Sequence, residues 1–211
     1  MEWIVKRKLS YVLLIAVLLM TLAGCGATPS PVPTPTPTQP PPTETPTPPA
    51  EPTAPAKPAG EFTTYEAAGG DFGIKVPAGW QVVEREANNT ILFVSPAPAD
   101  STAFRENVGV TIQDLGTDLL TLEDYTGGFL SQAPDLVDNY HLIDSEGTTL
   151  ADQPAYRVLY TGEQMGLPLQ WLQVWMLKDG RAYIVTYTAE PDQFDEALNI
   201  AAYMISSLEV P

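Results

Sequence analysis

The spacing of apolar and polar residues divides the chain into three stretches. Leu9 to Ala23 is apolar apart from Ser10, Tyr11 and Thr21. Ala27 to Gly60 has almost no large apolar residue and repeats proline with threonine, as in Pro33-Thr34-Pro35-Thr36-Pro37-Thr38. From Glu61 onward the pattern turns periodic, and this stretch alone has the length and apolar content for one domain with one core.

Within it, Phe72-Gly73-Ile74-Lys75-Val76 alternates like a strand, and Pro77-Ala78-Gly79 supplies a turn. Trp80 leads into Gln81-Val82-Val83, followed by β-rich runs at Ile91 to Val94 and Val108 to Ile112. The first half therefore reads as a β-meander. Thr121-Leu122-Glu123-Asp124 then sets a hydroxyl cap ahead of an acid at the third helical position. Leu122, Tyr125, Phe129, Leu130 and Ala133 recur on one helical face, and Pro134 is expected to end the helix. Gly127-Gly128 opposes that helix by about 1 kcal/mol per glycine relative to alanine.

Four more strands are expected at Tyr140 to Ser145, Ala155 to Thr161, Leu169 to Leu177 and Ala182 to Ala189, the last two joined by the hairpin Lys178-Asp179-Gly180-Arg181. In Leu169 to Leu177 one parity is Leu169, Trp171, Gln173, Trp175 and Leu177, and the other is Gln170, Leu172, Val174 and Met176. Both are largely apolar, so this strand is expected to be central and covered on two faces. A last helix opens at Pro191, with Asp192, Asp195 and Glu196 near its positive end. Its stripe of Phe194, Ala197, Leu198, Ala201, Met204, Ile205 and Leu208 is core packing against the sheet.

The first two stretches concern address rather than catalysis. Lys6, Arg7 and Lys8 precede the apolar run, a secretory signal pattern that stops at small residues before the roughly 20 apolar residues a membrane span needs. The run closes on Leu22-Ala23-Gly24-Cys25, which resembles the lipobox of bacterial lipoproteins. The resemblance implies cleavage before Cys25 and a diacylglycerol on its sulfur, so that residues 1–24 are a lipoprotein signal peptide. Two acyl chains would anchor stably where one is marginal, at about 0.8 kcal/mol per buried methylene. Residues 25–60 then form a disordered tether of polyproline II character, rising about 3.1 Å per residue where extended. The expected location is the extracytoplasmic face of a cell membrane.

Cys25 is the only cysteine, so the domain at 61–211 has no internal disulfide. The chain's net charge of −16 falls almost wholly on that domain, whose cations are Lys75, Arg85, Arg105, Arg157, Lys178 and Arg181. Such a surface repels nucleic acid and anionic headgroups. The partners left are the membrane, through lipid on Cys25, and an unidentified protein or small molecule.

No phosphate loop, nucleophile elbow or His-Glu-x-x-His motif is present, and no cofactor is indicated. His141 is the only histidine and reads as a surface or strand-end residue, with Asp138 and Asp144 near it in sequence. A histidine-cysteine zinc site is excluded by counting. Two acidic groups, Asp114, Asp118, Glu123 and Asp124, and Asp135, Asp138, Asp144 and Glu146, lack the spacing of a calcium loop and read as solvated surface. Trp171 and Trp175 share a parity that could line a binding surface, but burial under a helix is the expectation.

The order of elements, taken together, resembles PsbP-like domains. The resemblance is carried by Phe72-Gly73-Ile74-Lys75-Val76-Pro77-Ala78-Gly79-Trp80, Val108-Gly109-Val110-Thr111-Ile112, Thr121-Leu122-Glu123-Asp124-Tyr125, Leu150 to Tyr156, Gly180 to Tyr187 and Ile205 to Leu208. That superfamily includes an extrinsic photosystem II protein and Ran-binding Mog-type proteins. It implies an α+β fold with an antiparallel sheet sandwiched between helices, and it does not by itself imply an activity, because members of the superfamily serve as assembly factors, cofactor-retention subunits or binding modules. The expected function is a non-enzymatic binding or assembly accessory at the membrane. The alternatives are an extracytoplasmic hydrolase whose carboxylates converge only in the fold, and a cell-envelope spacer.

Overall fold

The computed structural model describes residues 55–97, 104–116 and 120–211. The signal segment, Cys25, most of the proline tether and Asp118 lie outside the described residues. Nine strands and two α-helices are present in the described part: β1 Phe62–Glu66, β2 Gly73–Pro77, β3 Gln81–Arg85, β4 Thr90–Val94, β5 Asn107–Asp114, α1 Leu122–Leu136, β6 Asp138–Leu150, β7 Gln153–Gln164, β8 Leu167–Lys178, β9 Arg181–Ala189 and α2 Phe194–Ser206.

Seven strands form one antiparallel sheet in the order β3-β4-β5-β9-β8-β7-β6. Two meanders, β3 to β5 and β6 to β9, join where β5 pairs β9 from Asn107↔Thr188 to Asp114↔Arg181. The expected first-half meander is therefore real for β3 to β5 but excludes the Phe72 run. That run, as β2, pairs antiparallel with β1 in a separate two-stranded ribbon. Phe62-Thr63-Thr64-Tyr65-Glu66 shows too little apolar alternation to announce β1, whose burial is only partial.

β8 has neighbours on both sides and buries both parities, as its composition requires. Trp171 and Trp175 face the layer containing α1, and Leu172, Val174 and Met176 face the layer containing α2. The sheet thus lies between two helices, with the β1–β2 ribbon joining α2 on its side: Phe72, Ile74 and Val76 pack in the same core as Met204 and Ile205.

Two helix boundaries correct the sequence expectation. α1 continues through Pro134 to Leu136, because proline in the last turn removes one N–H while the Val137 N–H still closes on the Ala133 carbonyl at 3.0 Å. α2 begins at Phe194 rather than Pro191: Pro191 to Gln193 form a turn, with the Gln193 N–H on the Glu190 carbonyl at 3.0 Å. Its stripe behaves as expected, with Phe194, Ala201, Met204 and Ile205 buried and Leu208 buried just past the helix end.

The hairpin at Lys178-Asp179-Gly180-Arg181 forms with Lys178 opposite Arg181. Asp179 and Gly180 both hold positive φ, 51° and 72°, the geometry that matches strand twist in a two-residue turn.

Candidate functional site

On the α1 side the sheet carries a ring layer. Trp175 lies 4.8 Å from Phe129 and 6.0 Å from both Tyr125 and Tyr156, and Tyr160 stacks on Trp171 at 5.1 Å. These positions coincide because β7 and β8 pair Tyr156↔Trp175 and Tyr160↔Trp171, putting large rings side by side on one face. Three of the rings, Trp175, Tyr125 and Tyr160, have their polar tips partnered inside the protein. Trp175 Nε1–H donates to Thr126 Oγ1 at 3.1 Å, and Tyr125 donates to Gln113 Oε1 at 2.9 Å. Tyr160 donates to Gln173 Oε1 at 3.3 Å, and Gln173 Nε2 donates to Thr186 Oγ1 at 3.0 Å.

This layer is chemically quiet. Burial pushes the phenols of Tyr125 and Tyr160 well above their ordinary range, and Tyr140 beside Tyr160 is also raised by burial. All three stay neutral at physiological pH, so none serves as a base. The signal for the Tyr160–Gln173–Thr186 ladder was Gln173 itself, a lone amide in an otherwise apolar parity.

Two of the acids share one arginine. Arg157 on β7 reaches across to β6 and holds two carboxylates, donating to Asp144 Oδ2 and, through Nε at 3.1 Å and Nη2 at 2.8 Å, to Glu146 Oε1. Register places this group: Glu146 lies opposite Arg157, and Asp144 lies one same-face position away opposite Leu159. The arginine side chain is partly exposed and both acids are well exposed, so the pairs are surface bridges worth little individually. Spacing alone could have suggested them, since Asp144 and Glu146 alternate on a strand.

The other acids are dispersed. Asp114 Oδ1 accepts the Gly116 N–H at 2.7 Å, and Asp71 pairs with Arg181 at 2.8 Å. Glu106 accepts from Ser95 Oγ at 2.7 Å, and Glu84 from the Tyr65 hydroxyl at 3.1 Å. Asp124 caps α1: its carboxylate accepts from the Thr121 Oγ1–H at 2.6 Å and N–H at 3.2 Å, and the hydroxyl hydrogen bond to Thr121, with the backbone bond behind it, lowers its pKa. Among the described residues no three His, Cys, Asp or Glu side chains are placed to hold a metal ion.

His141 is exposed on β6, opposite Thr161. Asp138 lies opposite Glu163, and Asp144 is taken up by Arg157. No relay of histidine and carboxylate is assembled from these three. Trp171 and Trp175 are buried beneath α1, as expected, and present no exposed platform. Cys25, the one residue to which the sequence attached a specific chemistry, lies outside the described residues.

The fold and its relatives converge on one assignment: the PsbP family model matches residues 60–210, and the chain belongs to that family. Solved structures share the architecture. The cyanobacterial PsbP protein of Synechocystis sp. PCC 6803 is 18% identical, with a TM-score of 0.55 over 73% of this chain and 95% of its own. LpqN of Mycobacterium tuberculosis, described as involved in cell envelope biogenesis, is 13% identical, with a TM-score of 0.52 over 72% and 91%. The Ran-binding protein Mog1p of Saccharomyces cerevisiae is 11% identical, with a TM-score of 0.51 over 72% and 96%. At such identities the likeness is one of fold. Among curated proteins, none matches by sequence. No described helix is long and apolar enough to cross a membrane.

Proposed function

We propose that this protein is a membrane-anchored extracytoplasmic lipoprotein whose PsbP-family domain acts as a non-enzymatic binding or assembly module. The observation that carries the second half of this reading is that the traced carboxylates are taken up structurally, by cations, a helix cap and hydroxyls, and that the two neighbouring pairs on β6 and β7, Asp144 with Glu146 and Asp138 with Glu163, engage Arg157 and Asn139. A hydrolase of the two-carboxylate kind needs its acids facing one another across a substrate. The first half rests on Lys6-Arg7-Lys8, the apolar run and Leu22-Ala23-Gly24-Cys25. The Pro/Thr stretch would hold the domain away from the bilayer as a tether. That LpqN is involved in cell envelope biogenesis and Mog1p is a Ran-binding protein is in keeping with a binding role, without naming a partner for this chain.

Fractionation of the full chain tests the anchor. The native protein is expected in the membrane fraction and to take up labelled fatty acid, whereas Cys25→Ser loses the label and the membrane association. A Cys25→Ser chain that stays membrane-bound would remove the lipid-anchor reading. Shortening the Pro/Thr segment separates module from spacer: a module keeps its binding when the tether is cut, and a spacer loses function with length.

A further inference from the structure

We propose that the tip of the β7–β8 hairpin, with the adjoining end of α1, is a docking surface for a basic protein segment carrying apolar side chains. The proposal rests on the binding-module reading above and adds which surface binds and what chemistry it takes.

Eight large apolar residues are exposed among the described residues, and five of them, Leu136, Leu142, Ile143, Met165 and Leu167, fall between the end of α1 and the start of β8. Met165 leads them at 82% exposure, with Leu167 at 44% and Leu136 at 38%. Leu136, Met165 and Leu167 belong to one corner of the fold, whereas Leu142 lies farther along β6, opposite Tyr160. Gln164 lies opposite Leu167 and Glu163 opposite Pro168 across the hairpin, and Asp138 lies opposite Glu163 at its other edge. The end of α1 is pressed onto the hairpin at Gly162, where a Cβ would lie 2.3 Å from Val137 Cγ1. Asn139 Nδ2 closes the corner with a hydrogen bond to Glu163 Oε1 at 2.9 Å.

Neither the turn nor the core explains Met165. Three two-residue turns in this half have positive φ at both positions: Ala151-Asp152, Met165-Gly166 and Asp179-Gly180. Such turns favour Asn, Asp or Gly first, because a larger side chain is strained at positive φ. Asp179 meets the rule, and Ala151 packs against the α2-side core. Met165, at φ 57°, is strained and exposed at once. A flexible thioether at an exposed tip suits adaptable apolar contact.

Charge selects the occupant. Asp135, Asp138 and Glu163 lie on the elements that meet at this corner, and between Glu106 and Leu177 the sequence has one Lys or Arg, Arg157, which already holds Asp144 and Glu146. A second copy of this acidic chain and an anionic bilayer are both repelled. A cationic segment is steered in, and its apolar side chains cover Met165 and Leu167.

The test uses the full chain in phosphatidylcholine nanodiscs, with binding to empty discs subtracted. The probe is a fluorescent peptide of leucine and lysine, followed by anisotropy against a leucine-glutamate peptide of the same length. The double variant Met165→Asn, Leu167→Asn keeps the net charge, and asparagine in place of Met165 relieves the turn. It is expected to lower affinity for the Leu/Lys peptide about tenfold, as loss of a hot spot does, while its melting temperature holds or rises. Val82→Asn, Val83→Asn, which removes exposed apolar residues at the opposite edge of the sheet, is expected to leave affinity unchanged. Equal affinity of the hairpin variant and the native chain would show diffuse charge alone at work and would overturn the proposal. So would quenching of a Met165→Trp reporter by spin-labelled lipid, which would assign the tip to the bilayer. Either result removes this surface or its occupant without removing the binding-module reading, which the tether-shortening experiment tests, so the two readings fail separately.

Discussion

Beneath α1 the sheet is faced with rings, three of which have their polar tips bonded to neighbours, while beneath α2 it is faced mainly with aliphatic and small side chains. The first layer holds Tyr125, Phe129, Tyr156, Tyr160, Trp171 and Trp175, tied by bonds to Thr126, Gln113 and Gln173. The second holds Ile74, Val110, Val174, Val185, Ala201, Met204 and Ile205, and its most buried phenol, Tyr187, donates to the Phe194 carbonyl at 2.9 Å. The helices differ in the same sense. α2 has a stripe sufficient to seat it, whereas α1 contains Gly127, Gly128 and Pro134 and depends on what it packs against. A layer of oriented, hydrogen-bonded rings tolerates fewer substitutions than an adaptable aliphatic one.

Alkali should act on both layers, with more phenols at stake beneath α1. Tyr125 and Tyr160 there, and Tyr187 beneath α2, have folded pKa values raised by burial, so above the unfolded tyrosine value of about 10 the native state retains protons that the unfolded state has lost. Stability is therefore complete below about pH 10 and falls as pH rises further. Ellipticity and phenolate absorbance are expected to change together for the buried tyrosines. Separate transitions, with all nine tyrosines ionising before the fold is lost, would break the argument.

Trp175→Ala removes the centre of the ring layer and leaves the Thr126 hydroxyl without its donor. A loss of about 3–5 kcal/mol is expected by denaturant titration, and Trp175→Phe should still cost about 1–3 kcal/mol through the unpaired hydroxyl. Met204→Ala in the other layer should cost about 2–5 kcal/mol, but Met204→Leu less than about 1.5 kcal/mol. A Met204→Leu cost as large as that of Trp175→Phe would erase the distinction.

Gly162→Ala locates the hinge of the ring layer. The new Cβ would sit 2.3 Å from Val137 Cγ1 and 2.9 Å from the Asp138 carbonyl oxygen, so α1's exit from the layer must shift. The expected cost is about 1–3 kcal/mol, with the near-ultraviolet signal of the tryptophans disturbed. No change in that signal would mean that α1 is not fixed at this point.

The two layers were unequally legible in the sequence. β8 announced both, because each of its parities is largely apolar, and α2 announced its own through a clean stripe. What escaped was non-local. Phe62–Glu66 became a strand only because β2 pairs with it, and the Phe72 to Val76 run left the meander for that reason. Pro134 failed to stop α1 because tertiary packing of Ala133 and Val137 outweighs one lost hydrogen bond. The Arg157 bridge and the acidic apolar corner also depend on register between strands, which no local pattern carries.

The smallest test is also the most local, since α1 should respond to changes that α2 would not need. A methyl group added at Gly127 would meet nothing within 4 Å, so Gly127→Ala is expected to stabilise the protein by about 1 kcal/mol. Thr121→Ala should cost about 1 kcal/mol, because it removes the hydroxyl that accepts the Asp124 N–H at 3.1 Å and donates to its carboxylate. Asp124 has its pKa lowered by those same bonds, so its contribution is present above the unfolded carboxylate value and is lost as pH falls through the lower folded one. The cost of Thr121→Ala should accordingly shrink in acid, while the gain from Gly127→Ala should not change. If the cost of Thr121→Ala proves independent of pH, the Asp124 carboxylate contributes nothing to the cap, and the bond from the Asp124 N–H to the Thr121 hydroxyl carries it alone.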